Sequence, residues 1–173
     1  MRTTPYWPPR CRLVLAIACG FVPATEAIGQ RASSAHLTIC VAAASRSPRT
    51  ASSSTPATNE WPGALTFVMK PGWHIYGIEP GTTGLPTRTS WKHADGWSVR
   101  SVRWPVPVRR VRGRDTTFEY EGTVVVPFTL RALRSRSSRG LHALTVSVGV
   151  CKDICIPETV TVQFQTSALR SSR

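Results

Sequence analysis

Cys151 and Cys155 are separated by three residues in the segment GVCKDICIPE (149–158), and a pair so placed supports three chemistries. It can close as a structural disulfide, supply half of a metal site, or work as a dithiol that exchanges electrons with other thiols. Its surroundings bear on the choice. LHALTVSVGV (141–150) alternates, with Leu144, Val146, Val148 and Val150 on one face and Thr145, Ser147 and Gly149 on the other. ETVTVQFQT (158–166) alternates again through Val160, Val162 and Phe164. Period-two patterning of this kind marks a half-buried strand. The cysteines therefore flank KDI at or near a turn joining two antiparallel strands. Residues opposed across a tight hairpin have Cα atoms roughly 4.5–5.5 Å apart, inside the range of about 4.4–6.8 Å that a disulfide needs. A ring of about five residues stabilises by only roughly 2 kcal/mol, against about 4–5 kcal/mol for a loop of a hundred. As a staple the bond is weak; as a small reducible bond near a turn it is well placed. Lys152 favours a thiolate and Asp153 opposes it.

Metal binding draws on Cys151, Cys155, His74, His93 and Met69, residue types that soft metals accept. No second Cys or His pair at ligand spacing accompanies CKDIC, and Met69 and His74 flank a Pro-Gly turn where they can simply brace the chain. On the residues alone the pair stays open between exchange, brace and metal. Other chemistry is thinner. The sequence carries no Gly-rich phosphate loop, no G-x-S-x-G elbow and no H-E-x-x-H, and Glu79, Asp95, Asp115, Glu119 and Glu121 are too scattered to form an evident carboxylate pair.

The elements that must position the pair are strands. With 14 prolines, 12 glycines and few runs of helix formers in 173 residues, composition leans toward short strands and turns. AHLTICVAAA (35–44), ALTFVMK (64–70) and GTVVVPFTL (122–130) read as further strands, and Pro127 suggests an edge position or a bulge. GIEPGTTGLPT (77–87) reads as an ordered loop. SRSPRTASSSTPATNE (45–60) has the composition of a flexible linker. The expected fold is an all-β antiparallel sandwich over residues 61–168, preceded by a strand plus flexible segment at 28–60 and followed by a short tail, 169–173.

The chain opens like an export signal: Arg2, Arg10 and Arg12, the apolar LVLAIACGFV (13–22), then small residues in PATEA (23–27). An apolar run of ten is too short to span a bilayer stably, so residues 1–27 are expected to be removed and no stable membrane insertion to follow. AIACG around Cys19 is a weaker lipoprotein-like site. Cys11 and Cys19 would leave with the signal, and Cys40 would stay as a buried small hydrophobe. Cleavage after Ala27 removes three arginines and one glutamate, taking the formal charge from +13 to +11. RRVRGR (109–114) and RALRSRSSR (131–139) hold much of it. They lack aromatic interleaving and any nucleic-acid-binding motif, so they read as solvated loops with no nucleic-acid partner.

Several stretches, in order, resemble one family. KPGWHIYGIEPGTTGLPTRTSW (70–91), WPVPVRR (104–110), FEYEGTVVVPFTL (118–130) and VGVCKDICIPETVTV (148–162) are similar to the N-terminal periplasmic domain of the thiol:disulfide interchange protein DsbD and its ScsB-like relatives, over about residues 61–166. The resemblance implies an immunoglobulin-like β-sandwich and a periplasmic dithiol shuttle without a cofactor, a component of protein-disulfide reduction. Its implied partners are a thioredoxin-like or membrane-embedded electron donor and oxidised periplasmic client proteins. By the same resemblance Cys155 is the interchange sulfur and Cys151 its resolving partner. The better-known enterobacterial form separates its cysteines by five residues; the three in this chain match the ScsB-like branch. That form also shields its pair with a loop. The corresponding region of this chain is RRVRGRDTTFEY (109–120), which offers Phe118 and Tyr120 as shielding candidates. Two other readings remain: a non-catalytic sandwich whose bond braces a hairpin, and a copper- or metal-handling module.

Overall fold

The structure, a computed structural model, describes residues 28–43, 60–133 and 139–167. All of its regular elements are strands: β1 (Ile28–Ser33), β2 (Leu37–Ala43), β3 (Glu60–Met69), β4 (His74–Gly81), β5 (Arg88–Lys92), β6 (Trp97–Val102), β7 (Val108–Arg112), β8 (Asp115–Glu121), β9 (Thr123–Ala132), β10 (Arg139–Cys151) and β11 (Cys155–Ser167). They form two antiparallel sheets. One has the order β1-β2-β3-β9-β6, and the other β11-β10-β4-β8-β7 with β5 also paired to β10. The sheets pack face to face as an immunoglobulin-like β-sandwich.

Alternation drives the packing. Along β9, Val124, Val126, Phe128 and Leu130 point inward while Thr123, Val125, Pro127 and Arg131 face solvent. Leu144, Val146, Val148 and Val150 of β10 and Val160, Val162 and Phe164 of β11 complete the opposite wall. Burying one such side chain contributes roughly 1.5–3 kcal/mol, so a one-residue register slip, which would expose every one of them, is strongly disfavoured. The β10–β11 register runs unbroken from Arg139↔Ser167 to Cys151↔Cys155.

The two sheets are joined at one side by polar contacts. His36, in the turn after β1, bonds through Nδ1 to Glu158 of β11 at 3.2 Å, and the Ser34 hydroxyl donates to the same carboxylate. The His36 ring stacks on Trp73, centroids 3.8 Å apart.

Some expectations change. The 35–44 strand is present as β2, but it is paired on its other side by β1, which the sequence did not announce. Strand β3 begins at Glu60 rather than near Ala64, and the first part of the expected 77–87 loop continues β4 to Gly81. Strand β9 is interior to its sheet, between β3 and β6, so Pro127 is not on an edge. Its missing N–H costs little: β6 carries a register shift between Val99 and Ser101 and ends at Val102, and the Pro127 carbonyl still accepts from the Arg103 N–H at 2.9 Å. The arginine run at 109–114 is a hairpin, β7 turning at Gly113 into β8, and not a loop. All five side chains of β7 are exposed, so no apolar alternation could reveal it. The expected signal and linker, residues 1–27 and most of 45–60, lie outside the described residues.

Candidate redox site

Strands β10 and β11 are tied at their shared turn by a Cys151–Cys155 disulfide, S–S 2.08 Å and Cα–Cα 4.1 Å. The Cα atoms are slightly closer than the hairpin estimate. Lys152, Asp153 and Ile154 form the connection, closed by a 3.1 Å bond from the Lys152 N–H to the Ile154 carbonyl. Ile154 is 69% exposed. The two sulfur-bearing residues differ sharply: Cys151 is 1% exposed, whereas Cys155 lies open to solvent. Access from solvent to the bond is therefore from the Cys155 side.

Side chains alternate across a sheet. Val150 points into the core, so Cys151 points to the outer face, and its register partners share that face. Reading across four strands, Cys155 of β11 lies opposite Cys151 of β10, Cys151 opposite His74 of β4, and His74 opposite Glu121 of β8. Next along the same face come Tyr76 and Glu119, also paired. The His74 and Tyr76 rings meet edge to face at 5.3 Å.

The PGTTGLPT stretch of the sequence finds its use at this face. After β4 the chain loops back over the outer side of the sheet, held by a 2.5 Å bond from the Thr87 hydroxyl to the Tyr76 carbonyl and a 3.1 Å bond from the Thr87 N–H to the Gly77 carbonyl. Gly84, at φ +120°, lies on the Tyr76 ring, where an added Cβ would come within 2.8 Å. Leu85 lies on Gly149, two residues before Cys151 on the same face; a Cβ there would meet the Leu85 Cβ at 2.6 Å.

Charge on this face is ordered by the arginine hairpin. Glu119 is fully buried and accepts bonds of 2.6 Å from both Arg112 and Thr117. Burial alone would raise its carboxyl, but those two bonds, with the nearby His74 and Arg112 charges, hold it below the usual carboxylate range. Glu119 raises the Arg112 guanidinium in return. The Tyr76 phenol is pushed up by burial and by the Glu119 charge. Arg110 pairs with Glu121 at 2.9 Å. The basic run is thus partly neutralised within its own sheet.

The remaining expected site residues lie elsewhere. Phe118 and Tyr120 alternate with Glu119 and Glu121 on β8, which puts them on the inner side of the sheet, away from the disulfide row. Tyr120 is buried, donates to the Pro105 carbonyl at 2.6 Å, and has its phenol raised by burial. Phe118 is half-buried and joins Ile78, Trp104, Pro105, Pro107 and Tyr120 around a cleft of about 290 Å³. Of the soft-metal residues, Met69 is in the core and His93 faces His142 at a centroid distance of 5.7 Å. Only His74 is beside the cysteines. Among the described residues, no group of three or more His, Cys, Asp or Glu side chains is arranged to hold a metal ion. Cys40 is buried as expected but is disulfide-bonded, so it does not stand as an isolated hydrophobe. Sequence reasoning missed the Glu119–Arg112 pair and the place of His74; Cys151 and His74 are too far apart in the chain for spacing to reveal that they are neighbours.

Comparison with known proteins bears on the domain as a whole. Residues 45–167 match the family model described as thiol:disulfide interchange protein DsbD, N-terminal. The N-terminal periplasmic domain of ScsB from Proteus mirabilis is similar in structure, with TM-score 0.57 and 20% identity over 80% of this chain and 51% of that one. This chain therefore spans about half the length of that structure. The reduced DsbD N-terminal domain of Neisseria meningitidis aligns at TM-score 0.40 and 14% identity, over 61% of this chain and 76% of that one. No curated protein matches in sequence.

Proposed function

The chain belongs to the family of DsbD N-terminal domains, and from that premise we propose that it is an exported thiol–disulfide interchange module working in the periplasm. The observation that carries the reading is the asymmetry of its disulfide: one sulfur-bearing residue open to solvent, the other 1% exposed. Exchange requires a partner to reach one sulfur in line while the second waits to resolve the mixed disulfide. Cys155 takes the first role and Cys151 the second.

In the reducing direction the Cys155 thiolate attacks one sulfur of a client disulfide, and the other client sulfur leaves as a thiolate that takes a proton. Cys151 then loses its proton and attacks Cys155, restoring the Cys151–Cys155 bond and releasing the second client thiolate. The client gains two electrons and two protons, and this protein loses them. A thioredoxin-like or membrane-embedded dithiol donor reverses the steps and recharges the pair. No cofactor enters. Support for this direction comes from the family alone; the chemistry itself is reversible.

The test is a redox titration of the purified mature protein in graded thiol–disulfide buffers, with alkylation and intact mass reporting Cys151 and Cys155. A midpoint above about −300 mV, where exchange proteins fall, is expected. A bond that stays closed well below that would leave a brace on the hairpin. Binding of copper by the reduced protein, lost on replacing either cysteine, would turn the assignment to metal handling.

A further inference from the structure

Cys151 carries a chemical difficulty. Its thiol must lose a proton before it can resolve a mixed disulfide, yet the residue is 1% exposed, and burial in apolar surroundings disfavours a thiolate. Water is poorly placed to take that proton, so a neighbouring base is needed.

His74 stands where such a base would have to be. It is the register partner of Cys151 on β4, and directly opposed residues of an antiparallel pair project to the same face with Cβ atoms about 4.5–5.5 Å apart. An imidazole nitrogen reaches that far. Its Nε2 is buried and has no hydrogen-bond partner, although buried polar atoms are paired in the large majority of cases. With the cysteines oxidised there is no thiol for it to meet. Tyr76 braces the ring edge to face at 5.3 Å.

The charged groups around His74 come from three elements. From β8, Glu121 lies opposite His74 and Glu119 lies next along the face. From β7, Arg110 and Arg112 approach those carboxylates. From the β10–β11 turn, Lys152 comes close to Gly72, two residues before His74. Both carboxylates and both arginines thus lie around the face that His74 and Cys151 share.

Resting on the interchange reading, we propose that His74 is the acid–base residue for Cys151. In the resolving step the Cys151 thiol gives its proton to Nε2 of His74, and the sulfur's electron pair forms the bond to Cys155. The bond between Cys155 and the client breaks, its electron pair leaves on the client sulfur, and that thiolate takes the proton back from the imidazolium. In the reverse direction the imidazolium protonates Cys151 as it departs.

A chromogenic aromatic disulfide that releases one coloured thiolate per step separates the two events. The reduced protein should release the first equivalent on attack by Cys155 and the second on resolution by Cys151. In His74→Gln at neutral pH, the first phase is expected to keep its rate and the second to slow on the order of a hundredfold. The second phase should recover toward the wild-type rate as the pH is raised and hydroxide replaces the missing base. A lost brace would not restore itself with pH. His74→Asn serves as a second variant if His74→Gln unfolds at lower urea. In the unaltered protein the imidazole nitrogen resonances of His74 should move when the pair is reduced. A folded variant with an unchanged second phase, or resonances indifferent to reduction, overturns the assignment of His74. A wild-type protein whose reduced pair releases neither equivalent overturns the interchange reading instead.

Discussion

At the scale of single residues, the two cysteines have unequal access, and the duties proposed for them rest on that difference. Replacing Cys151 with Ser leaves the exposed sulfur able to attack but removes the group that resolves the product. Mixed disulfides on Cys155 should then accumulate with any reactive disulfide and be visible as added mass. Replacing Cys155 leaves only the buried sulfur, and the rate of mixed-disulfide formation should fall by roughly tenfold or more. Equal trapping by both variants would contradict this division of roles. On the proposed reading a client makes its first contact at the β10–β11 turn, where Ile154 stands exposed beside Cys155. That side chain offers an apolar foothold next to the reacting sulfur.

At the scale of elements, the β10–β11 hairpin does not need its disulfide to stay formed. Thirteen register pairs hold the two strands together, ending at Cys151↔Cys155. The ring that the bond closes spans only five residues, so reduction should lower the unfolding free energy by about 2 kcal/mol and leave the fold intact. Urea titration of the oxidised and reduced forms checks this, and a reduced protein that unfolds outright would show that the bond is structural. The loop over the outer face is a second element with its own energetics. Gly149→Ala puts a methyl group 2.6 Å from the Leu85 Cβ, and overpacking of this kind costs about 1–3 kcal/mol. Shortening Leu85 to Ala in the same chain should restore part of the loss, so a double-mutant cycle should give a coupling of at least about 0.5 kcal/mol. Additive effects would mean that Leu85 does not sit where the structure puts it.

At the scale of the whole molecule, the end of the sandwich away from the cysteines sets the response to acid. His142 is 1% exposed, packed among Trp97, His93 and Phe164, with Nε2 bonded to Thr166 at 3.1 Å. Burial, with a smaller contribution from the His93 charge, lowers its pKa to about 4 from an ordinary 6.5. Between those values the unfolded chain binds the proton and the folded chain does not. Stability is therefore full above about pH 6.5 and falls as the pH drops toward 4, by up to about 3 kcal/mol for this group. His93, lowered by burial, acts in the same sense. Glu119, held below its ordinary value, adds a further loss at still lower pH. Unfolding free energies at pH 7.5 and 4.5 test the sum, and His142→Asn should flatten the difference. No change between the two pH values would show that the imidazole is not buried neutral.

Much of this protein can be read from residue types and short-range order. The alternation of Leu144, Val146, Val148 and Val150, and again of Val160, Val162 and Phe164, sets two strands and a turn. A cysteine at each side of that turn can face the other across the hairpin at a distance a disulfide accepts. Strand β7 was illegible for the converse reason: an edge strand exposed on every side chain has no apolar period, and its arginines look like a solvated loop. The outer face of the site was hidden more deeply. Nothing in the spacing of Cys151, His74 and Glu121 makes them neighbours; they meet because β10, β4 and β8 pair in one register, and register between distant strands is chosen by how their inward faces fill the core. Local periodicity therefore determined the hairpin and put the cysteine pair at its turn, leaving the chemistry of the pair open. Only the tertiary packing decided which sulfur is buried, which is open, and which side chains stand beside them.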